Sequence, residues 1–198
     1  MKIKGDKMKN LKKEVLSIPN IMGYFRIILI PIFLYTYYNA TSAKDYYIVA
    51  GIVCISGITD FLDGYVARNF NMITELGKFI DPFADKLTQA ALVFCLASRH
   101  KLMWYLVGLF ILKEGFMVVM GIIMLRRGKK LDGAKWFGKV CTAVLYVVMF
   151  ILILLPSIND FIANNLIVLC GIFMLMSFIL YIQVFYKMHK SIKQKVKY

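Results

Sequence analysis

Four aspartates, Asp60, Asp63, Asp81 and Asp85, fall within 26 residues of a chain that has only 11 acidic side chains in 198 positions. Asp60 and Asp63 stand three apart and Asp81 and Asp85 four apart, so each pair shares one face of a helix. The flanking residues are apolar. An ionised carboxylate at membrane depth costs about 2.5–3.5 kcal/mol on insertion scales, and four together also repel one another. If the two helices run antiparallel about a turn near residue 72, Asp63 meets Asp81 and Asp60 meets Asp85 at two adjacent levels. Gly64 and Gly77 would let the backbones, or a ligand, come close. A cage of hard oxygens suits divalent cations, and two Mg²⁺ ions (or Mn²⁺, which favours the same ligands) would neutralise the four charges. Paired metals are a device of phosphoryl transfer, one orienting the attacking oxygen and the other stabilising the leaving group. The plainer alternative is a set of helix-end carboxylates paired with Lys78, Lys86 and Arg68. Intramembrane charge is rare and usually functional, which favours the cage.

The elements that must position these acids are membrane spans. Hydrophobic residues make up 60% of the chain, against about 45–50% in a soluble domain, and the mean hydropathy is +0.68. The reading is all-α, a polytopic membrane protein. Its six apolar stretches lie near 20–38, 46–66, 78–98, 102–125, 136–156 and 161–186, each close to the length a bilayer needs. Residues 1–18 carry six lysines interleaved with Leu11, Val15, Leu16 and Ile18, the pattern of a basic amphipathic interfacial helix. The apolar run behind them is too long for a signal peptide, and a lysine-rich segment with Asp6 and Glu14 does not fit a mitochondrial transit peptide. Residues 19–198 then form one transmembrane domain. The net charge of +14 sits between apolar runs rather than in a nucleic-acid-binding patch, so no nucleic acid is expected. Basic residues crowd the N-terminus, the C-terminus and the loop of Arg126, Arg127, Lys129, Lys130 and Lys135. By the positive-inside rule both termini and the acidic cluster face the cytoplasm, with Arg99 and Lys101 a mild exception. Cys54, Cys95, Cys141 and Cys170 lack metal or disulfide spacing and read as small hydrophobes.

The segment Asp60-Phe-Leu-Asp63-Gly64-Tyr-Val-Ala67-Arg68, eight residues, then Gly77-Lys-Phe-Ile-Asp81-Pro-Phe-Ala-Asp85 resembles the signature of the CDP-alcohol phosphotransferases at all eight fixed positions. Ile18-Pro19-Asn20 with Arg26 resembles the family's first-span opening, although Gly23 stands where threonine is usual. The resemblance implies an enzyme that moves the phosphatidyl group of CDP-diacylglycerol to an alcohol and releases CMP. It implies that Asp60, Asp63 and Asp81 bind the metals and that Asp85 adds to that site and acts as general base. It assigns Asp60, Asp63, Gly64, Ala67, Arg68 and Gly77 to CDP binding. A permanently charged guanidinium at Arg68 suits a diphosphate. Family analogy also implies a homodimer in the cell membrane.

The acceptor is a finer question. Phosphatidylglycerophosphate synthases resemble one another in an A-R-E and a G-K-x-K-T segment; here the matching residues are Leu112-Lys113-Glu114 and Gly138-Lys139-Val140-Cys141-Thr142. One arginine has become lysine and one lysine has become Cys141. The reduced cationic capacity resembles the cardiolipin synthases and leans toward phosphatidylglycerol as acceptor, with glycerol 3-phosphate the alternative. Arg26, Lys113, Arg126 and Lys139 are the candidate contacts for the acceptor phosphate, or else snorkelling side chains. A cation transporter would also use intramembrane acids, but such sites usually lie at the midplane between repeated halves, and no repeat is visible.

Overall fold

The computed structural model describes residues 15–70, 72–128 and 135–195. Among them are six helices and no strand: α1 Ile18–Asn39, α2 Ala43–Asn69, α3 Gly77–Ala97, α4 Met103–Arg126, α5 Trp136–Leu154 and α6 Asp160–Lys195. The expected spans match these helices to within a few residues, except that α6 runs on past residue 186. Most of the expected amphipathic segment, residues 1–14, lies outside the described residues, as do Lys129 and Lys130. The protein is a polytopic membrane protein. Five helices are long and apolar enough to cross a bilayer, and α3 is not among them. The reason is local: every stretch of 18 residues in α3 holds at least three charged side chains, drawn from Lys78, Asp81, Asp85 and Lys86.

The helices group into two compact units, one reaching Cys95 and including Ile153–Pro156, the other made of Leu96–Leu152 and the residues from Ser157 onward. In the first unit α1 packs along α2. Only residues 40–42 join them, so the two run antiparallel. Ser42 starts α2 with a capping box: its hydroxyl accepts from the Asp45 N–H at 3.4 Å, and the Asp45 carboxylate accepts from the Ser42 N–H at 2.8 Å. Gly23 lies against Ile80, and the Tyr38 hydroxyl meets the Cys95 thiol, so α3 runs parallel to α1. The buried face of α1 is Asn20, Gly23, Arg26, Leu29, Phe33 and Tyr37, at helical spacing. Its opposite face, Ile21, Phe25, Ile28 and Ile32, is apolar and exposed. An apolar face turned outward on a helix this long belongs in lipid. Farther along, Leu29 and Phe33 converge with Val53 of α2 and Leu92 of α3.

In the second unit α4 packs against α6. Leu106 approaches Gly171, Phe116 meets Phe178 at 5.4 Å between ring centres, and Arg127 reaches His189 at 2.6 Å, so this pair is parallel. A guanidinium only donates; the His189 Nδ1 therefore accepts. From α5, Phe137 sits edge-on to Tyr181 at 4.7 Å, in a core with Met124 and Phe185. The cysteines are free thiols, with Cys95, Cys141 and Cys170 buried.

Gly138 is what lets α5 approach Tyr181, because a Cβ there would collide with the Tyr181 hydroxyl, whereas a Cβ on Gly121 meets nothing within 4 Å. Gly138→Ala is expected to cost about 1–3 kcal/mol by overpacking, read as a lower thermal midpoint in detergent. Gly121→Ala should leave the midpoint unchanged or slightly raised; equal effects of the two would refute this packing.

Candidate active site

Two acids of the first unit, Asp60 and Asp63, share one cation. Arg26 of α1 is 1% exposed, and its two terminal nitrogens donate to different carboxylates, one to Asp60 and the other to Asp63 of α2. A guanidinium is planar and permanently charged, so it can bridge two acids that stand one turn apart. The two acids differ in access. The Asp60 side chain is 50% exposed and that of Asp63 only 4%, so Asp60 stands at the opening and Asp63 at the floor.

Asp81 and Asp85 face them from α3. Asp63 and Asp81 lie within electrostatic reach of each other, and so do Asp60 and Asp85, with Asp60 also sensing Asp81. These are the two levels expected of an antiparallel α2 and α3. Gln89, one turn beyond Asp85 and 2% exposed, donates its amide to the Asp85 carboxylate at 2.8 Å and accepts from Lys86 at 3.1 Å. One oxygen of Asp85 is thereby held in a fixed direction. Asp81 is treated differently: its Oδ1 is buried and has no hydrogen-bond partner. It lies 3.5 Å from where a Cβ on Gly23 would stand. A hydroxyl-bearing residue at position 23 would be a natural donor to this oxygen; here glycine leaves it empty and Ile80 fills the space.

Small residues set the approach of α1 to α3. Thr74 accepts the Gly77 N–H at 2.9 Å, as a helix cap does, and donates to the fully buried Asn20 of α1 at 3.1 Å. A Cβ on Gly77 would stand 2.7 Å from the Asn20 oxygen. On the other side of the acids, the Arg68 guanidinium lies over Gly64, 3.4 Å from a hypothetical Cβ there, and Ala67 accepts the Met72 N–H at 3.0 Å at the end of α2. Asn20, Thr74 and Gln89 carry no role in the sequence reading. Their signals were available: Gln89 follows Asp85 by four residues, and Thr74 precedes Gly77 by three, the spacings of a shared helix face and of a cap.

The donor set fits a hard divalent cation. Four carboxylates supply only oxygen, and the buried Asp81 Oδ1 has no hydrogen-bond partner that an ion would have to displace. With the Arg26 guanidinium against Asp60 and Asp63, however, no group of three or more acidic, histidine or cysteine side chains among the described residues is close enough to hold an ion.

Of the expected acceptor contacts, Arg26 belongs to this acidic cluster. The others belong to the second unit. Lys113 is 4% exposed and pairs with Glu114 at 2.9 Å, while Arg126 and Lys139 are exposed near helix ends. Cys141, at the position that lacks the second lysine, is 2% exposed.

Residues 16–188 match the CDP-alcohol phosphatidyltransferase family. The chain is 32% identical over 146 residues, 72% of its own length and 79% of the relative's, to the CDP-diacylglycerol–glycerol-3-phosphate 3-phosphatidyltransferase of Escherichia coli strain K12. The proteins of the same name from Shigella flexneri serotype 5b and Shigella sonnei match to the same extent.

Gly77→Ala tests the stitching of α1 to α3. The added methyl must push Asn20 or Thr74 out of its hydrogen bond inside a buried contact. A loss of about 1–3 kcal/mol is expected, or on the order of 2–12 °C in thermal midpoint for a chain of this size. An unchanged midpoint would mean that the two helices do not depend on this approach.

Proposed function

Because the chain belongs to the CDP-alcohol phosphatidyltransferase family, we propose that this enzyme transfers the phosphatidyl group of CDP-diacylglycerol to glycerol 3-phosphate and releases CMP. The observation that carries the choice of acceptor is the activity named for relatives 32% identical over most of the chain. It outweighs the lean toward phosphatidylglycerol, which rested on two replaced positions, Lys113 and Cys141. Phosphatidylglycerol remains the second reading because a buried thiol supplies no cation for a dianionic acceptor. Family membership speaks for an enzyme over a cation transporter.

Asp60, Asp63, Asp81 and Asp85 would hold two divalent cations, Mg²⁺ or Mn²⁺. When bound, such ions offset the charge of the diphosphate and of the departing nucleotide. Arg68, lying over Gly64, offers a fork for the same diphosphate, and Ala67 and Gly77 keep the adjoining surface low. Asp85, steered by Gln89, accepts the proton of the acceptor hydroxyl. The freed oxygen electron pair forms a bond to the phosphatidyl phosphorus. The phosphorus–oxygen bond to CMP breaks, and CMP leaves with that electron pair. Lys113, Arg126 and Lys139 are assigned to the acceptor phosphate. The proposal includes a cell-membrane location with the acids on the cytoplasmic side, and a homodimer.

Purified enzyme in liposomes, given labelled CDP-diacylglycerol with both glycerol 3-phosphate and phosphatidylglycerol, decides the acceptor. Phosphatidylglycerophosphate is the expected main product, and EDTA should abolish it until Mg²⁺ or Mn²⁺ is restored. A dominant cardiolipin product would overturn the acceptor while leaving the transfer chemistry intact. Turnover in a rigorously chelated sample would overturn the metal reading.

Asp85→Asn keeps the shape and the Gln89 contact but removes the base. The expected loss of turnover is about 10²–10⁴-fold, with CDP-diacylglycerol still bound in a direct binding assay. Near wild-type turnover would reassign the base.

A further inference from the structure

We propose that Arg26 is a displaceable counter-ion: it holds Asp60 and Asp63 in the metal-free enzyme and gives up those oxygens when divalent cations bind. The proposal rests on the reading of the four aspartates as a metal site. Three observations lead to it. The guanidinium engages both carboxylates of α2 from a position only 1% exposed, so it is a built component rather than a surface contact. Its Nε is buried without a partner, and so is Asp81 Oδ1 in the same acidic cluster. The seat of the guanidinium is therefore only partly satisfied, which is the condition of a group that another cation can dislodge. Finally, with the guanidinium in that seat the acids are not gathered closely enough to hold an ion.

Charge balance points the same way. One guanidinium leaves four carboxylates strongly undercompensated, which favours the arrival of divalent ions. Two such ions compensate the carboxylates fully, and the guanidinium then becomes a like-charged neighbour competing for the same lone pairs. Arg26 is in this sense a positioning residue. It keeps repelling acids folded together before metal arrives, and it sets the affinity with which metal is taken up.

The test is metal binding by the full chain in detergent at pH 8, without nucleotide or lipid substrate, reading free Mn²⁺ by electron paramagnetic resonance. Removing the competitor in Arg26→Gln should tighten Mn²⁺ binding by about tenfold or more. Without metal this variant should melt below the wild type, and Mn²⁺ should raise its midpoint by more than it raises that of the wild type. Should Arg26→Gln fail to fold, Arg26→Lys carries the test. A single ammonium cannot span both carboxylates as a fork does, so this variant should bind Mn²⁺ more tightly than the wild type while keeping the charge. Equal or weaker Mn²⁺ binding in the variants would overturn the proposal and make Arg26 a helper of metal binding. Wild type and Asp63→Asn proteins that take up Mn²⁺ identically would reject the carboxylate metal site itself, and the proposal with it.

Discussion

The contact of one buried guanidinium with two carboxylates sets the terms for the first half of this protein. Neither partner could be buried alone, because an unpaired charge in a low-dielectric surrounding costs several kcal/mol. Arg26 must therefore sit on the face of α1 that meets Asp60 and Asp63, and that requirement fixes the rotation of α1 against α2. The buried residues on either side follow the same face: Asn20 and Gly23 before Arg26, Leu29 and Phe33 after it. Hydrophobic burial along α1 and charge pairing at its centre thus demand the same helix orientation.

The third helix is held by different means. α3 carries too many charges to be an ordinary span, and its approach to α1 relies on missing side chains. Gly77 admits Asn20, and Gly23 admits Ile80 and leaves Asp81 Oδ1 unmatched. Van der Waals contact between closely approaching backbones is a main source of helix association in lipid, where the surrounding tails are as apolar as the side chains. Both glycines thus bring α3 close, and at Gly23 the missing side chain also leaves Asp81 Oδ1 without a donor.

Much of this was legible before any coordinates. The i,i+3 and i,i+4 spacing of the aspartates about a turn specified the antiparallel pairing of Asp63 with Asp81 and Asp60 with Asp85. The helix limits followed from hydropathy, apart from the lysine-rich tail of α6, where charge masks a helix that continues. Arg26 stands in the sequence as a candidate contact for the acceptor phosphate, but its partners could not be read. They lie 34 and 37 positions away, and no periodicity within one helix reports the rotation of another. Gln89 was hidden for a related reason, since an amide among alanines and leucines shows its purpose only when the carboxylate one turn back is seen to lean on it. The acceptor was legible least of all. It turns on a charge at one position, and a lost lysine alters affinity without naming the molecule that is bound.

The three-residue link between α1 and α2 has a consequence for how the chain enters its membrane during synthesis. Arg26 arriving in the bilayer on a lone helix would carry an insertion cost of about 2.5–3.5 kcal/mol, and the two aspartates of α2 a similar cost apiece. A tether as short as residues 40–42 keeps the two segments adjacent as they leave the insertion machinery, so opposite charges can meet before either must be solvated by hydrocarbon. The hairpin, rather than the single helix, is then the unit of insertion. Arg26, Asp60 and Asp63 would by that stage already have helped to carry α1 and α2 into the membrane together.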